Sequence, residues 1–121
     1  CALLVHRLSA DGYHVTTVEN GREALAAIAE QRPDLVVLDA LMPVMDGFEV
    51  LRRLKAGGLS GAPVIMLTAL KREQDIVGAL QLGAADYLVK PFIPDELGQR
   101  VRRLLEPREP AAGGSRDRRP A

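Results

Sequence analysis

The chain is poor in the residues that several function classes require. It has one cysteine, Cys1, among 121 residues, so neither a disulfide framework nor a thiolate metal cluster can be built. It has no tryptophan, two tyrosines and two phenylalanines, too few for a platform on which single-stranded nucleic acid stacks. Neither sign of charge is in excess, with 16 Lys+Arg against 16 Asp+Glu, and no global field draws the protein to nucleic acid or anionic lipid. No apolar run approaches the ~20 residues that span a bilayer, and no secretory leader is recognisable. Direct nucleic-acid binding and membrane insertion are therefore not expected, and a reduced, cytoplasmic setting is. The two histidines, His6 and His14, have no other His or Cys at ligand spacing.

What is present is one domain's worth of chain with 47% hydrophobic residues. Short apolar strands alternate with helical segments. His14–Val18 is β-branched. Gly21–Gln31 places Ala24, Leu25 and Ile28 on one helical face. Leu35–Leu38 is a continuous apolar run ending in Asp39, as a strand buried on both faces should be. Asp46–Lys55 predicts a helix, with Asp46 as N-cap, Glu49 three residues on, and Phe48, Leu51 and Leu54 on its buried stripe. Pro63–Leu67 is a second buried strand ending at Thr68. Glu73–Leu82 is helical, with Ile76 and Leu80 paired and Gly83 as the stop. Tyr87–Val89 is a short strand ending at Lys90-Pro91, and Pro94–Leu105 is the last helix, facing the core with Leu97, Val101 and Leu104. Strands separated by helices imply crossover units, a parallel sheet and an α/β fold. Residues 1–105 form this unit. Residues 106–121, rich in Pro, Gly and Arg with no large apolar residue, read as a disordered tail or linker.

In such sheets ligands gather beyond the carboxyl ends of the strands. Three successive strands end in Asp39, Thr68 and Lys90. Alone, each has an ordinary explanation: a turn former, a strand residue bonded to its own backbone, a solvated surface charge. Together they are a carboxylate that can attack a phosphoryl group, with a hydroxyl and a cation to bind the phosphoryl oxygens.

The stretches Pro33-Asp34-Leu35-Val36-Val37-Leu38-Asp39, Met42-Pro43-Val44-Met45-Asp46-Gly47-Phe48-Glu49, Pro63-Val64-Ile65-Met66-Leu67-Thr68-Ala69 and Gly83-Ala84-Ala85-Asp86-Tyr87-Leu88-Val89-Lys90-Pro91-Phe92 occur in the order and spacing of a known family. Over residues 1–105 the chain resembles the receiver domain of bacterial two-component response regulators. The resemblance implies a flavodoxin-like doubly wound parallel sheet of order 2-1-3-4-5, and a phosphoacceptor signalling domain rather than an enzyme, beyond its own phosphotransfer and dephosphorylation. It implies that Asp39 accepts a phosphoryl group from a sensor histidine kinase or phosphotransfer protein, and that Thr68 and Lys90 hold the phosphoryl oxygens. Mg²⁺ would be bound by Asp39 and the backbone carbonyl of Leu41. Lys90-Pro91 would be a cis peptide, and Ala69 would leave access to the site. Thr68 and Tyr87 would act as the switch, so that a downstream output domain or protein, or a second copy in a homodimer, reads the face around Tyr87.

The sequence also departs from that family. The family's first strand ends in an acidic metal-binding pair and leads into a helix. Cys1–Asp11, with Leu4 and Leu8 on one face, matches only the later part of that helix. The first strand and the acidic pair are absent, so strands two and three are expected to lose ladder partners at about 1–3 kcal/mol per buried orphan, and Mg²⁺ binding is expected to be weak or absent. The missing strand and half-helix predict roughly 15–20 further residues upstream. A chain that truly lacks them is the competing reading. Ile93 replaces a capping side chain before the last helix, partly offset by Asp95 and Glu96. Leu41 and Leu70 stand at the family positions that flank the attacking water, and being apolar they imply slow self-dephosphorylation. Two other functions compete. One is a phosphorylation-independent pseudo-receiver, favoured by the missing acidic pair. The other is a nucleotide- or flavin-binding enzyme using Gly57-Gly58-Leu59-Ser60-Gly61, but that loop leads from helix into strand, the reverse of a phosphate cradle.

Overall fold

A computed structural model describes residues 1–8, 12–57 and 61–106. The elements run β1 (Ala2–Arg7), β2 (Tyr13–Val18), α1 (Gly21–Gln31), β3 (Leu35–Asp39), α2 (Gly47–Gly57), β4 (Val64–Thr68), α3 (Glu73–Gln81), β5 (Asp86–Val89) and α4 (Pro94–Leu105). They form one five-stranded sheet of order β2-β1-β3-β4-β5, within the α/β architecture the alternation predicts. The tail reading falls on residues 107–121, outside the described residues, as do Gly58, Leu59 and Ser60 of the glycine-rich loop.

The first segment differs from expectation. Ala2–Arg7 is a strand, not part of a helix, and it occupies the central slot whose neighbours were expected to lose their ladder partners. It pairs antiparallel with β2, from Ala2↔Val18 to Arg7↔Tyr13, and antiparallel with β3, from Ala2↔Leu38 to Val5↔Leu35. The other four strands share one direction, since β3–β4 and β4–β5 are parallel. The physical reason is chain length. A parallel neighbour of β2 needs a crossover of a dozen or more residues, whereas residues 8–12 alone join β1 to β2. This connection closes with Leu8 N–H donating to Gly12 O at 3.1 Å, and Gly12 adopts φ +142°. The strand satisfies the ladders of both neighbours and buries Ala2, Leu4 and Val5. A helix there would satisfy only itself.

Elsewhere the local chemistry decides the elements. Asn20 caps α1, its Oδ1 accepting from Glu23 N–H at 2.9 Å, and Asp46 Oδ1 accepts from Glu49 N–H at 2.9 Å at the start of α2. Ile93 precedes α4 with no side-chain cap bond, while Pro94 opens the helix and Asp95 and Glu96 occupy its first turn. In α3 the buried contact is Ala79; Leu80, expected on the core face, is 46% exposed. Three helices cover one sheet face, with Ala24 and Ile28 of α1, Val50, Leu51 and Leu54 of α2 and Ala79 of α3 packed on Leu4, Val36, Leu38, Val64 and Met66. Among the described residues α4 alone covers the other, through Leu97, Val101 and Leu104 against Val5, Leu35, Val37 and Ile65. Among the described residues no helix is long and apolar enough to cross a membrane.

Candidate phosphoacceptor site

Asp39 ends β3 after four side chains buried on both faces of the sheet, Leu35 to Leu38. Strand register fixes its height, and the adjoining loop fixes its carboxylate. Asp39 N–H donates to Cys1 O at 3.0 Å, and Oδ1 accepts from Leu41 N–H at 2.9 Å. Oδ2 meets Lys90 Nζ at 3.1 Å, with the Asp39 side chain 16% exposed. Lys90 follows β5, two strands away, and its N–H donates to Thr68 O at 2.8 Å. The Lys90-Pro91 bond is cis, as the resemblance implies. Thr68 ends β4 and is fully buried. Its Oγ1 accepts from Leu70 N–H at 3.4 Å, which leaves the hydroxyl proton free to be donated. Asp39, Thr68 and Lys90 thus stand at the carboxyl ends of three consecutive parallel strands, and the ammonium closes on the carboxylate.

Tyr87 lies in β5 beside Met66 in register. Its ring packs half-buried on the core, and its hydroxyl donates to Leu70 O at 2.8 Å. Burial first, and the charge of Asp75 second, push its pKa above the ordinary tyrosine value of 10.0. Leu70 therefore links the two expected switch residues through its own peptide groups, its N–H to Thr68 and its C=O to Tyr87. Leu41, by contrast, is 58% exposed beside Asp39, and Ala69 is exposed, so the approach to the carboxylate is open.

Two supporting positions were not singled out by sequence reasoning. A Cβ on Gly47 would stand 2.5 Å from Asp39 O and 2.9 Å from Ala40 Cα, and Gly47 N–H donates to Ala40 O at 3.0 Å. Only glycine lets the start of α2 close on the backbone of the phosphoacceptor candidate. Between them the loop turns at Val44, with φ 70° and Met45 N–H donating to Pro43 O at 2.7 Å, the three-residue turn that is strained for a β-branched side chain. The signal for Gly47 was its place directly after the Asp46 cap; for Val44 composition gives none.

Receiver domains generally bind Mg²⁺ at an acidic pocket. The donor set here does not fit that ion. Mg²⁺ requires near-octahedral oxygen ligation with carboxylates at its core. At this rim the two oxygens of Asp39 are engaged by Lys90 and Leu41. The residues beside Asp39 on the neighbouring segment are Cys1 and Ala2, neither of them acidic. Among the described residues no group of three or more His, Cys, Asp or Glu is placed to hold a metal.

The comparisons with known proteins converge on one family. The response regulator receiver domain profile matches residues 1–102. The chain is 44% identical over 113 residues to the alkaline phosphatase synthesis transcriptional regulatory protein PhoP of Bacillus subtilis, covering 93% of this chain and 47% of that protein. It is 47% identical over 106 residues to the response regulator MprA of Mycolicibacterium vanbaalenii, covering 88% and 46% respectively. It therefore spans just under half the length of these relatives. Among solved structures, a receiver domain of a signal transduction histidine kinase from Syntrophus aciditrophicus superposes with TM-score 0.70 at 42% identity, covering 81% of this chain and 77% of that one. The receiver domain of the Francisella response regulator 1452 gives TM-score 0.71 at 38% identity, covering 75% and 74%. With sequence profile, relatives and fold in agreement, the chain belongs to the response regulator receiver domain family of two-component signalling systems.

Proposed function

We propose that Asp39 is the phosphoacceptor of this receiver and that Thr68 and Lys90 hold the transferred phosphoryl group. The observation that carries the reading is the Lys90 Nζ–Asp39 Oδ2 contact of 3.1 Å at a rim where buried Thr68 ends the intervening strand. In the reaction a carboxylate oxygen of Asp39 attacks phosphorus. The P–N bond of a donor phosphohistidine breaks, its electron pair stays on the imidazole nitrogen, and that nitrogen takes a proton from solvent. Lys90 sits beside the carboxylate and can neutralise charge on the phosphoryl oxygens as they arrive, while the Thr68 hydroxyl has a proton to give to one of them.

Phosphorylation brings additional charge and acceptor oxygens to Asp39. Drawing the Thr68 hydroxyl toward them loosens its bond from Leu70 N–H. Leu70 also holds the Tyr87 hydroxyl, so the two side chains respond as a unit. The face of α3, β5 and α4 would then change for a partner: it exposes Val77 at 42% and Leu80 at 46% and is tied across by Asp86 to Arg100 at 2.9 Å and to Arg103 at 3.1 Å. Receiver domains act between histidine kinases and output domains, and the relatives are transcriptional regulators; an output domain or protein reading this face follows from that. The test is incubation with acetyl phosphate followed by intact-mass measurement. A gain of one phosphoryl group in the chain but not in Asp39→Asn supports the reading; equal behaviour of the two contradicts it.

A further inference from the structure

Gly21 opens α1 and is buried there. Glycine is a poor helix former, and the local backbone does not ask for it. Gly12 and Gly83 are the described glycines with positive φ, and Gly21 is not one of them. The demand is tertiary. A Cβ at position 21 would run into the carbonyl oxygen of Met45 and stand 2.8 Å from both Met45 C and Met45 Cβ. Gly78, inside α3, gives the contrast, since a Cβ there would have nothing within 4 Å.

Of the two partners in this contact the helix is the fixed one. Asn20 Oδ1 accepts from Glu23 N–H at 2.9 Å, Glu23 Oε1 accepts from Glu19 N–H at 3.3 Å, and Ala24 N–H donates to Asn20 O at 3.0 Å. Ala24 and Ile28 then anchor the helix in the core. Met45 belongs instead to the loop between β3 and α2, where Pro43 and Val44 are exposed. That loop also carries Leu41 N–H, which holds Asp39 Oδ1 at 2.9 Å, and it ends at Gly47, closed on the backbone of Asp39 and Ala40. A push on Met45 is thus delivered to the carboxylate's own support.

We infer that Gly21 is a positioning residue for the Asp39 carboxylate, acting through Met45. The bare Cα at the start of α1 lets the Met45 peptide seat against the helix. That seat holds residues 40–47 where Leu41 N–H reaches Oδ1 and fixes the orientation of the attacking group. A side chain at position 21 displaces Met45 and loosens the Leu41 bond, while Lys90, which arrives from the end of β5, is untouched. The consequence for phosphoryl transfer rests on the reading of Asp39 as phosphoacceptor; the seating of the loop does not.

The experiment compares the whole chain with Gly21→Ala, with Gly78→Ala as control, and with Gly21→Ala combined with Val44→Gly. Each is followed by amide nuclear magnetic resonance and by rates of phosphoryl acceptance over a range of acetyl phosphate concentrations, expressed per folded molecule. In Gly21→Ala the Leu41 and Gly47 amides should shift, and Leu41 should exchange with solvent about threefold faster, while the Tyr87 and Val101 amides stay in place. The rate constant should fall about tenfold with little change in the half-saturating acetyl phosphate concentration, as expected for misorientation rather than weaker binding. Gly78→Ala should match the parent. Val44→Gly frees the corner with φ 70°, lets the Met45 peptide turn aside, and should restore roughly a third or more of the lost rate. Unmoved amides over 40–47, a rate per folded molecule equal to the parent's, or no recovery in the double variant would each overturn the inference. If Gly21→Ala does not fold alone, a folded double variant supports the seat and an unfolded one overturns it. Failure of the parent to accept a phosphoryl group would count against the Asp39 reading, and the amide shifts would still decide the seating of the loop.

Discussion

Lys90 reaches across the end of β4 to place its ammonium 3.1 Å from the Asp39 carboxylate. The lysine side chain is 44% exposed, and an exposed pair of this kind contributes about 0–1 kcal/mol. Lys90→Ala should therefore shift the urea midpoint only slightly. Phosphoryl acceptance should fall much further, by about a hundredfold in rate, because the lost charge acts where the transferred oxygens arrive. Parallel unfolding curves and phosphorylation time courses check this. A large stability loss with unchanged transfer would assign the lysine a structural role instead.

Gly47 should be intolerant of any side chain. The nearest atoms to an added Cβ are backbone atoms of Asp39 and Ala40, which cannot swing aside as a flexible side chain could. Gly47→Ala is expected to cost about 1–3 kcal/mol, the usual range for forced overpacking, and to lower phosphoryl acceptance by displacing the Asp39 loop. Denaturant unfolding combined with the phosphorylation assay measures both effects. At the tip of the same loop, Val44→Gly should stabilise by about 1 kcal/mol, since it removes a left-handed β-branched residue that is 72% exposed.

Much of this site is legible in the sequence because its residues lie at strand ends, and strand ends are marked where apolar runs such as Leu35–Leu38 and Val64–Leu67 stop. The helices α1 and α4 are equally legible, starting at Gly21 and at Pro94. The first segment is not. Its Leu4/Leu8 spacing favours a helix, and only the tertiary demand of two unsatisfied ladders, with a connection too short for a crossover, makes Ala2–Arg7 an antiparallel strand. Gly47 and Val44 escape for a related reason: their constraint is a close approach and a turn, which periodicity does not encode.

Both tyrosines should resist ionisation. The hydrogen bond from Tyr13 to Glu106 Oε2 at 2.5 Å, followed by burial, raises the Tyr13 pKa, and burial raises that of Tyr87. The folded state thus favours neutral phenols. The stabilisation they provide is complete below pH 10, the unfolded value, and is lost as pH rises through the higher folded values. Absorbance titration should show phenolate appearing later in the folded chain than in urea. Tyr87→Phe should remove the later component assigned to β5 and cost about 1 kcal/mol for the lost bond to Leu70 O. Coincident folded and unfolded titrations would contradict this description of the tyrosines.

Neither Leu41 nor Leu70 can orient a water molecule by hydrogen bonding from its side chain. The aspartyl phosphate should therefore be long-lived. Leu41→Asn and Leu70→Glu are expected to speed its hydrolysis by about tenfold, equivalent to roughly 1.4 kcal/mol off the barrier. Following loss of phosphate by mass spectrometry tests this; fast loss in the parent chain, unaltered by either substitution, would contradict it.

Magnesium titration by calorimetry should give no saturable heat in the low-millimolar range, because among the described residues no group of three or more His, Cys, Asp or Glu is placed to hold a metal. Tight binding that disappears in Asp39→Asn would contradict the description of the donor set.

The most direct measurement is chemical mapping of the phosphorylated residue. After treatment with acetyl phosphate, borohydride reduction converts an aspartyl phosphate to homoserine, which peptide sequencing by mass spectrometry locates. Homoserine is expected at position 39 and at no other aspartate, with a reduced yield in Lys90→Ala. Homoserine elsewhere, or none at all from a folded chain, would contradict it.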